Sequence, residues 1–431
     1  MTKDKGFIFD HTLCVNCKAC QAACSLENKF TFRARTVYIY NEYLLPEASR
    51  YNLSVACNHC EIPVCMDGCL ASAYKRDDLT NAVVLDELKC IGCRYCEWNC
   101  PYDAPKYDPE SGIIGKCHLC YTQIKEGYQP ACAEGCPTGA LKYGEKEGEE
   151  IHQKPEWLDD YKLNPSLHLI GSDKTMPPEI VPSTKGNELF VPAQIRNEKR
   201  KDLSLVLFSF SATISVSLLI MSYITQKGPG FEYNFLLSLL PGIFSVFHLG
   251  RPLRAWRSVL NVFHSPLSRE IFLYAIYVLI NFVLWLTLSP LINLIGAIAG
   301  ILLLIFIDNV YFYSTRNHST YLHSGQTFLS GLLITSFLTG ELYPFLFIAF
   351  IKLVLSLKNL KIRAGKGDDV IRFIRIAFLL ISSAGFISGY SYPEPALIIL
   401  FLAGEFIDRY IFYEDFEPRS ISKSLQIKKH N

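Results

Sequence analysis

The pattern of apolar and polar positions divides this chain into two parts. From residue 203 onward, runs of Leu, Ile, Phe and Val are long enough to cross the ~30 Å of hydrocarbon in a bilayer, and they contain few charges. A helix in a soluble core seldom runs so far without a charge, so these runs predict transmembrane helices. We expect eight spans, with the approximate limits 203–225, 233–249, 270–289, 292–313, 326–340, 342–357, 371–390 and 395–413.

The first 150 residues show a different pattern, with short apolar segments such as 6–9 and 82–85 between polar stretches. This predicts short strands and single-turn helices around little apolar core. Residues 151–202 hold six prolines and little periodicity, which predicts a largely irregular strap that lies over the first domain or leads to the membrane. The expected parts are 1–150, 151–202, 203–413 and a basic tail, 414–431.

Cysteine supplies the most specific chemistry. All sixteen cysteines lie between residues 14 and 136, in four groups of four. The first and third groups have the Cys-x2-Cys-x2-Cys-x3-Cys spacing of bacterial ferredoxins, which bind cubane iron–sulfur clusters. Proline follows the last cysteine of the third and fourth groups, as in that signature.

In two-cluster ferredoxins the last cysteine of one run ligates the other cluster, so the groups work in pairs. Pairing the first group with the fourth, and the second with the third, predicts four [4Fe-4S] clusters with all sixteen cysteines as iron ligands. Each predicted ligand set is named after one member. They are the Cys14 set (Cys14, Cys17, Cys20, Cys136), the Cys117 set (Cys24, Cys117, Cys120, Cys132), the Cys57 set (Cys57, Cys60, Cys65, Cys100) and the Cys90 set (Cys69, Cys90, Cys93, Cys96).

Structural zinc and disulfide bonds are the two weaker explanations of the cysteines. Zinc sites use two ligands from each of two loops, and disulfides staple small secreted domains. Neither requires three cysteines in one loop, a fourth shortly after and then proline. We therefore predict an α+β double ferredoxin-like four-cluster domain, followed by an all-α transmembrane bundle of about eight helices.

The net charge of +1 gives no reason to expect a nucleic-acid partner. The distribution of charge along the chain is more informative than the total. Basic residues concentrate in alternate loops of the membrane part, including residues 251–257 and 358–366. By the positive-inside rule, both termini and the cysteine domain face the cytoplasm of a bacterial inner membrane. The N-terminus has no signal-peptide core and no twin-arginine pair, so we expect nothing there to export the domain. The alternative is that the loop bases dock the cysteine domain.

Several ionisable residues lie near the ends of spans. With an even number of spans, His248, Glu270, Asp308 and Glu405 all fall on the face that carries the cysteine domain. Ionisable residues at such depth line cavities, pair or carry protons. His248 and Glu270 are the predicted quinol site, and Asp308 and Glu405 a candidate proton path. Asp408 and Arg409 are expected to form a boundary ion pair.

A reaction follows from this arrangement. A quinol gives up two electrons and two protons, and one-electron clusters facing a proton-accepting membrane site would carry the electrons away singly. We expect no haem, because histidines that could pair as axial ligands deep in the spans are missing.

The sequence also resembles a known family. Residues 7–143, with Cys-Ile-Gly-Cys-Arg-Tyr-Cys-Glu-Trp-Asn-Cys-Pro-Tyr at 90–102, resemble the electron-transfer subunit of dimethyl sulfoxide reductase and its relatives. Residues 203–413 resemble that enzyme's membrane anchor, through Phe-His-Leu-Gly-Arg-Pro at 247–252, Leu-Ser-Arg-Glu-Ile at 267–271 and Gly-Glu-Phe-Ile-Asp-Arg-Tyr at 404–410. The chain looks like both subunits fused.

The resemblance implies a role for each region. Menaquinol would bind at His248 and Glu270, in contact with membrane lipid and the quinone pool. The Cys90 set would lie nearest the membrane, and Cys93, where some relatives have tryptophan and a three-iron cluster, implies a four-iron cluster. The Cys14 set would pass electrons to a separate molybdopterin subunit, with Mo or W, that reduces an S- or N-oxide.

Two alternatives share these features. One is the equivalent subunit of a polysulfide, thiosulfate or tetrathionate reductase, and the other is a quinone-linked electron-transfer module without molybdenum. The predicted orientation also departs from the family, whose familiar enzyme has its cluster subunit outside the cytoplasm. In that case a signal-bearing partner would export the cysteine domain.

Overall fold

The computed structural model describes residues 5–40, 51–145, 161–170, 194–226, 230–314, 323–363, 369–388 and 395–416. They fold into two compact units. The cysteine unit contains the N-terminal part of the chain together with a later segment, Leu249–Ser265. The helical unit contains Ile195–His248 and Pro266–Glu417.

Short strands form the frame of the cysteine unit. Within the described residues there are nine: β1 Lys5–Asp10, β2 Thr36–Tyr40, β3 Tyr51–Val55, β4 Tyr74–Arg76, β5 Val83–Leu85, β6 Lys106–Asp108, β7 Ile113–Gly115, β8 Leu141–Glu145 and β9 Leu167–Ile170. They make one sheet in the order β8-β1-β9 and three hairpins, β2-β3, β4-β5 and β6-β7. Alternate residues of β1, Phe7 and Phe9, are buried, as expected for a strand with one covered face.

Strand β9 differs from the prediction of an irregular strap over residues 151–202. It pairs in parallel with β1, and Phe7 lies opposite Leu167. Leu167 and Leu169 alternate with Ser166 and His168, which is a strand pattern, but so short a segment among so many prolines does not stand out.

Five short helices carry or adjoin the cysteines. They are α1 Ala19–Asn28, α2 Val64–Asp67, α3 Tyr95–Asn99, α4 Tyr121–Lys125 and α5 Ala131–Glu134. Cysteine side chains such as Cys24 and Cys132 share the core with Phe7, Leu53 and Leu141. The interior of this unit is therefore built partly from thiols, where an ordinary domain of this size would have apolar side chains.

The described residues of the helical unit hold eight α-helices at the positions of the eight predicted spans. They are α6 Gln194–Thr225, α7 Phe231–Val246, α8 Pro266–Thr287, α9 Pro290–Ser314, α10 Thr327–Thr339, α11 Leu342–Arg363, α12 Asp369–Ile387 and α13 Pro395–Asp415. Five of them (α6, α8, α9, α11 and α12) contain segments long and apolar enough to cross a membrane, which indicates a multi-pass membrane protein. Helices α7 and α10 are shorter, so eight complete spans stay a prediction.

Side chains fill gaps between these helices in specific ways. Phe337 and Phe401 stack with ring centroids 4.2 Å apart in the core of the unit. In α7, Pro241 interrupts the backbone ladder, and the Tyr274 hydroxyl enters the break. It accepts the Gly242 N–H at 2.8 Å and donates to the Ser238 carbonyl at 2.7 Å, so the groups next to the proline are satisfied.

Candidate functional site

Electrostatic interactions between thiols link cysteines within the predicted sets, and their assignment as ligands of four clusters stays a prediction. In the first pair of sets, electrostatic neighbours are Cys14 with Cys17, Cys20 and Cys136; Cys24 with Cys120 and Cys132; and Cys117 with Cys24 and Cys132. In the second pair they are Cys65 with Cys57, Cys60 and Cys100, and Cys96 with Cys69, Cys90 and Cys93. Each set therefore gathers cysteines from two distant parts of the chain.

The Cys90 set surrounds a definable space. Its four cysteines line a pocket, together with apolar residues such as Leu85, Ile91 and Ile114. Across the described ranges, no three His, Cys, Asp or Glu side chains converge closely enough to hold a single metal ion. Four thiols from two loops, around a pocket with otherwise apolar lining, are the donor set that a multi-iron cluster requires.

The four cysteine loops share one backbone device. The residue two positions after the first cysteine of every group is left-handed: Asn16 (φ 60°), His59 (φ 45°), Gly92 (φ 69°) and Leu119 (φ 67°). A right-handed residue next to a left-handed one turns successive N–H groups to the same side, which forms the anion-binding nest common at iron–sulfur sites. Three of these residues have side chains, so this conformation costs them energy.

Backbone N–H groups already point at some of the sulfur atoms. Ala73 N–H donates to Cys69 Sγ at 3.3 Å, Leu119 N–H to Cys117 Sγ at 3.3 Å and Leu141 N–H to Cys136 Sγ at 3.4 Å. Such donors stabilise negative charge on sulfur. The sites are therefore arranged for thiolates.

Burial, by contrast, disfavours a negative charge on the cysteine sulfur atoms unless a metal ion is bound to them. Burial first, and neighbouring thiols second, raise the pKa of the Cys24 thiol to about 12 and that of the Cys100 thiol to about 12. At Cys136 burial also acts to raise the pKa, but the donors from Leu141 and Thr138 outweigh it and lower the pKa. Buried thiols of this kind become thiolates when a metal supplies the compensating positive charge.

The sets follow one another in a row. Cys20 of the Cys14 set interacts electrostatically with Cys132, and Cys117 interacts with Cys57. Between the last two sets lies the buried ring of Tyr74, which has both Cys65 and Cys96 as neighbours. The order is therefore the Cys14, Cys117, Cys57 and Cys90 sets.

The two ends of this row differ in exposure. At the first end Cys17 is exposed, and the apolar side chains of Leu13 and Val15 are 45% and 57% exposed. At the other end, segment Leu249–Ser265 covers the Cys90 set. Its side chains donate to backbone carbonyls there: Arg254 to Cys90 at 2.9 Å, Asn261 to Cys69 at 2.9 Å and Ser265 to Gly68 at 2.9 Å.

Three glycines allow this segment to approach the Cys90 loop. Gly250 N–H donates to the Gly92 carbonyl at 3.4 Å, and Arg251 N–H to the Ile91 carbonyl at 3.1 Å. A Cβ atom on Gly250 would clash with the Gly112 carbonyl, and one on Gly92 would clash with Gly112 and approach Gly250. The contact is thus backbone against backbone, at a distance that a side chain would prevent.

Two of the arginines on which the orientation prediction rests, Arg251 and Arg254, also contact the cysteine unit. Arg251 donates to the Ser111 carbonyl at 2.9 Å, and Arg254 to the Glu87 carbonyl at 2.8 Å, both within the cysteine unit. These contacts agree with the alternative explanation, in which loop bases dock the cysteine domain. The cytoplasmic orientation therefore stays a prediction.

In the helical unit, two of the predicted site residues lie together. Asp308 accepts the N–H groups of Thr327 and Phe328 at 2.9 and 3.0 Å, at the first turn of α10, and its carboxylate lies 3.6 Å from Arg409. Glu270 is buried on α8, with Arg409 and Asp308 as its charged neighbours. His248 lies half-buried after the end of α7.

The fourth predicted residue, Glu405, belongs to a second buried group. It pairs with Lys352, which also lies 3.1 Å from Asp408. Asp408 binds Arg375 at 2.7 Å and Ser324 at 2.7 Å, whereas the neighbouring Arg409 pairs with Asp308. The predicted Asp408–Arg409 ion pair is therefore wrong, because adjacent residues on a helix do not face each other.

Lys352 and Arg375 were not among the predicted site residues. Lys352 did leave a signal, as a lone charge within an apolar run, which by itself indicates a buried partner. Its partners could not be read from the sequence, because Glu405 lies on another helix.

Comparison with known proteins agrees with the cysteine unit. Residues 49–146 match the family model described as a 4Fe-4S dicluster domain. Two similar proteins from Escherichia coli K12 are YnfG, a probable subunit of an anaerobic dimethyl sulfoxide reductase (41% identical, 39% of this chain and 85% of the relative), and the B subunit of anaerobic dimethyl sulfoxide reductase (41%, 33% and 75%). The formate dehydrogenase-O iron-sulfur subunit of the same organism is 32% identical, over 32% of this chain and 53% of the relative.

Proposed function

This chain belongs to the family of the iron–sulfur subunits of dimethyl sulfoxide reductases, here joined to a membrane unit, and from this premise we propose that it oxidises a membrane quinol. The electrons pass along four [4Fe-4S] clusters, held by the sixteen cysteines, to a separate molybdopterin subunit. When bound, the clusters supply one-electron carriers spaced along the unit. The row of four cysteine sets supports this route.

One observation carries the proposal. Segment Leu249–Ser265 binds the backbone of the Cys90 set, and in the chain it is flanked by the two predicted quinol residues, His248 and Glu270. The residues proposed to accept the quinol protons are thus tied by a short segment to the set proposed to accept its electrons. His248, as an imidazole able to take up a proton near neutral pH, and Glu270 each take one proton. Asp308 and Glu405 then lead protons away.

The other end of the row supports a partner. Leu13 and Val15 are exposed beside Cys17, and Leu26 on α1 is 79% exposed. Exposed apolar side chains around a cofactor site indicate a docking surface. We propose that the catalytic subunit covers this surface and that its substrate is an S- or N-oxide, and the names of two relatives, which refer to dimethyl sulfoxide, support an S-oxide.

The quinol step is tested by replacing its residues in the purified complex. His248→Gln and Glu270→Gln should each lower quinol-driven substrate reduction at least tenfold, whereas reduction driven by a viologen dye, which bypasses the membrane site, should be unchanged. Glu341→Gln is the matched control, because this carboxylate is exposed. Full quinol activity in both variants would remove these residues from the mechanism.

Metal analysis tests the number of clusters and the presence of a molybdopterin partner. About sixteen irons per chain, with molybdenum or tungsten in the complex purified anaerobically in mild detergent, is the expected result. Sixteen irons without either metal would favour the quinone-linked module that lacks a molybdopterin partner. Substrate assays on the complex then separate S- and N-oxides from polysulfide, thiosulfate and tetrathionate.

A further inference from the structure

Two cations lie inside the cysteine unit, at junctions between neighbouring sets. Lys116 is 4% exposed and lies between the Cys57 and Cys117 sets. Its Nζ is 3.4 Å from Cys57 Sγ and 3.0 Å from the Cys117 carbonyl, and it also binds the Val83 carbonyl. The three donors of this ammonium group are directed at one sulfur atom and two backbone oxygens.

Arg35 occupies the preceding junction and is 2% exposed. Its electrostatic neighbours are cysteines of the Cys14 and Cys117 sets: Cys20, Cys24, Cys117 and Cys132. Nη1 donates to Ser54 Oγ at 3.1 Å, and the guanidinium lies 4.4 Å from the centroid of the Phe7 ring. Among the described residues, Nε and Nη2 have no hydrogen-bond partner.

Buried cations of this kind need a nearby negative charge. Leaving a charge buried and uncompensated is strongly unfavourable, and within the described residues the contacts of Lys116 and Arg35 are thiols, carbonyls, a hydroxyl and aromatic rings. A thiolate-ligated cluster on each side of the junction would supply that charge. The two cations thus fit the cofactors, which would act as their counter-ions.

We propose that Arg35 and Lys116 are counter-charges that raise the reduction potentials of the clusters on either side of them. This rests on the cluster-binding part of the proposed function. When a cluster accepts one electron its negative charge grows by one, and a buried cation a few ångströms away favours that state, since solvent screens it little. The cluster of the Cys117 set faces both cations, so its potential is raised twice.

If the two cations act by their charge, the reduction potentials of the clusters should differ along the row of cysteine sets. Between the Cys57 and Cys90 sets the corresponding position holds Tyr74, which is uncharged. The contribution of the two cations therefore raises the reduction potential step by step from the Cys90 set to the Cys117 set, and the last step leads to the Cys14 set, which faces Arg35 alone. Arg35 and Lys116 thus act on the clusters by their charge, and neither is proposed to contact a substrate.

The test is a redox titration of the full chain in detergent, followed by electron paramagnetic resonance of the reduced clusters. At a fixed potential, Lys116→Gln and Arg35→Gln should each lower the ratio of reduced to oxidised cluster about tenfold at two of the four clusters, or about 59 mV for a one-electron couple. One cluster should respond to both variants. Lys116→Arg and Arg35→Lys, which keep the charge, should restore wild-type potentials.

Lys75→Gln is the matched control, because it removes the same charge from an exposed position next to Tyr74. It should leave all four potentials unchanged, since solvent screens that charge. Unchanged potentials in Lys116→Gln and Arg35→Gln at full iron content would overturn the proposal. If Lys116→Gln and Arg35→Gln both lose iron, the variants Lys116→Arg and Arg35→Lys become the test. Loss of iron from these too would show that the shape of the side chain, and not its charge, is required, and would overturn the proposal.

The readout needs neither quinol nor substrate. A chain that binds about sixteen irons but oxidises no quinol would refute the proposed function and still test the counter-charges. A chain that binds no iron would refute both the proposed function and the counter-charges. The iron content of the unmodified protein is therefore measured first.

Discussion

The two units of this protein neutralise their buried cations in opposite ways. In the helical unit Lys352, Arg375 and Arg409 pair with the buried carboxylates of Glu405, Asp408 and Asp308. In the cysteine unit Lys116 meets a thiol and two carbonyls. The first set of charges is balanced within the protein, whereas the second depends on a group that the protein must bind.

This difference shows what each unit needs in order to fold. The helical unit has apolar helices, a core of stacked phenylalanines and closed ion pairs, so the chain alone provides its interior. The cysteine unit has thiols in its core and two buried cations with thiols as neighbours. Thiolate-ligated iron–sulfur clusters would hold these thiols together and bring negative charge beside the two cations.

Removal of iron should therefore separate the two units most clearly. When a chelator strips iron from the purified chain anaerobically, we expect residues 51–145 to become protease-sensitive while the membrane helices stay resistant, because metal binding and folding are coupled in such domains. Proteolysis with mass spectrometry, together with circular dichroism, measures this. A cysteine unit that stayed resistant without iron would show that its core does not depend on clusters.

Within the helical unit, a broken ion pair should have the next largest effect. Lys352→Met leaves Glu405 and Asp408 buried without their ammonium partner, and the loss of one partner of a buried pair typically costs about 3–5 kcal/mol. Thermal unfolding in detergent measures the loss. Lys358→Met is the control, on the same helix but exposed. Equal stability of the two variants would contradict a closed charge network.

The segment that follows His248 offers a smaller test. Gly250→Ala places a Cβ atom against the Gly112 carbonyl, so segment Leu249–Ser265 should move away from the Cys90 loop. Hydrogen exchange should then show faster exchange of the Arg251 N–H, which donates to Ile91. Gly144→Ala is the control, because no atom lies within 4 Å of the added Cβ. Unchanged protection in Gly250→Ala would mean that the approach is looser than described.

The smallest expected effect concerns one side chain of that segment. Asn261 donates to the carbonyls of Asp67 and Cys69 at 3.1 and 2.9 Å. Asn261→Ala should lower the free energy of unfolding of the cysteine unit by about 1 kcal/mol, a typical value for a lost hydrogen bond. Chemical unfolding of the iron-loaded chain, followed by its visible absorbance, measures this. A gain in stability would show that the contact is strained.

Much of the fold could be predicted because its signals are local. A run of about twenty apolar residues predicts a helix, because a helix satisfies its own backbone hydrogen bonds inside a membrane. Five of the predicted spans lie on helices long and apolar enough to cross one, and that all eight cross stays a prediction. The grouping of cysteines into sets also followed from spacing, and electrostatic interactions between thiols run within those sets, while the ligand assignment stays a prediction. In the cysteine loops, however, the left-handed positions Asn16, His59, Gly92 and Leu119 are four different residue types, so residue type alone does not mark them.

The sequence by itself determined the cysteine chemistry, the apolar helices and the presence of charged residues near them, because each depends on residue type and on short spacing. Only the tertiary structure decided which charges meet. Lys116 and Cys57 are 59 positions apart, and Arg254 and Cys90 are 164 apart. The partner of a buried charge is set by where distant parts of the chain cross, and no local pattern of residues encodes that crossing.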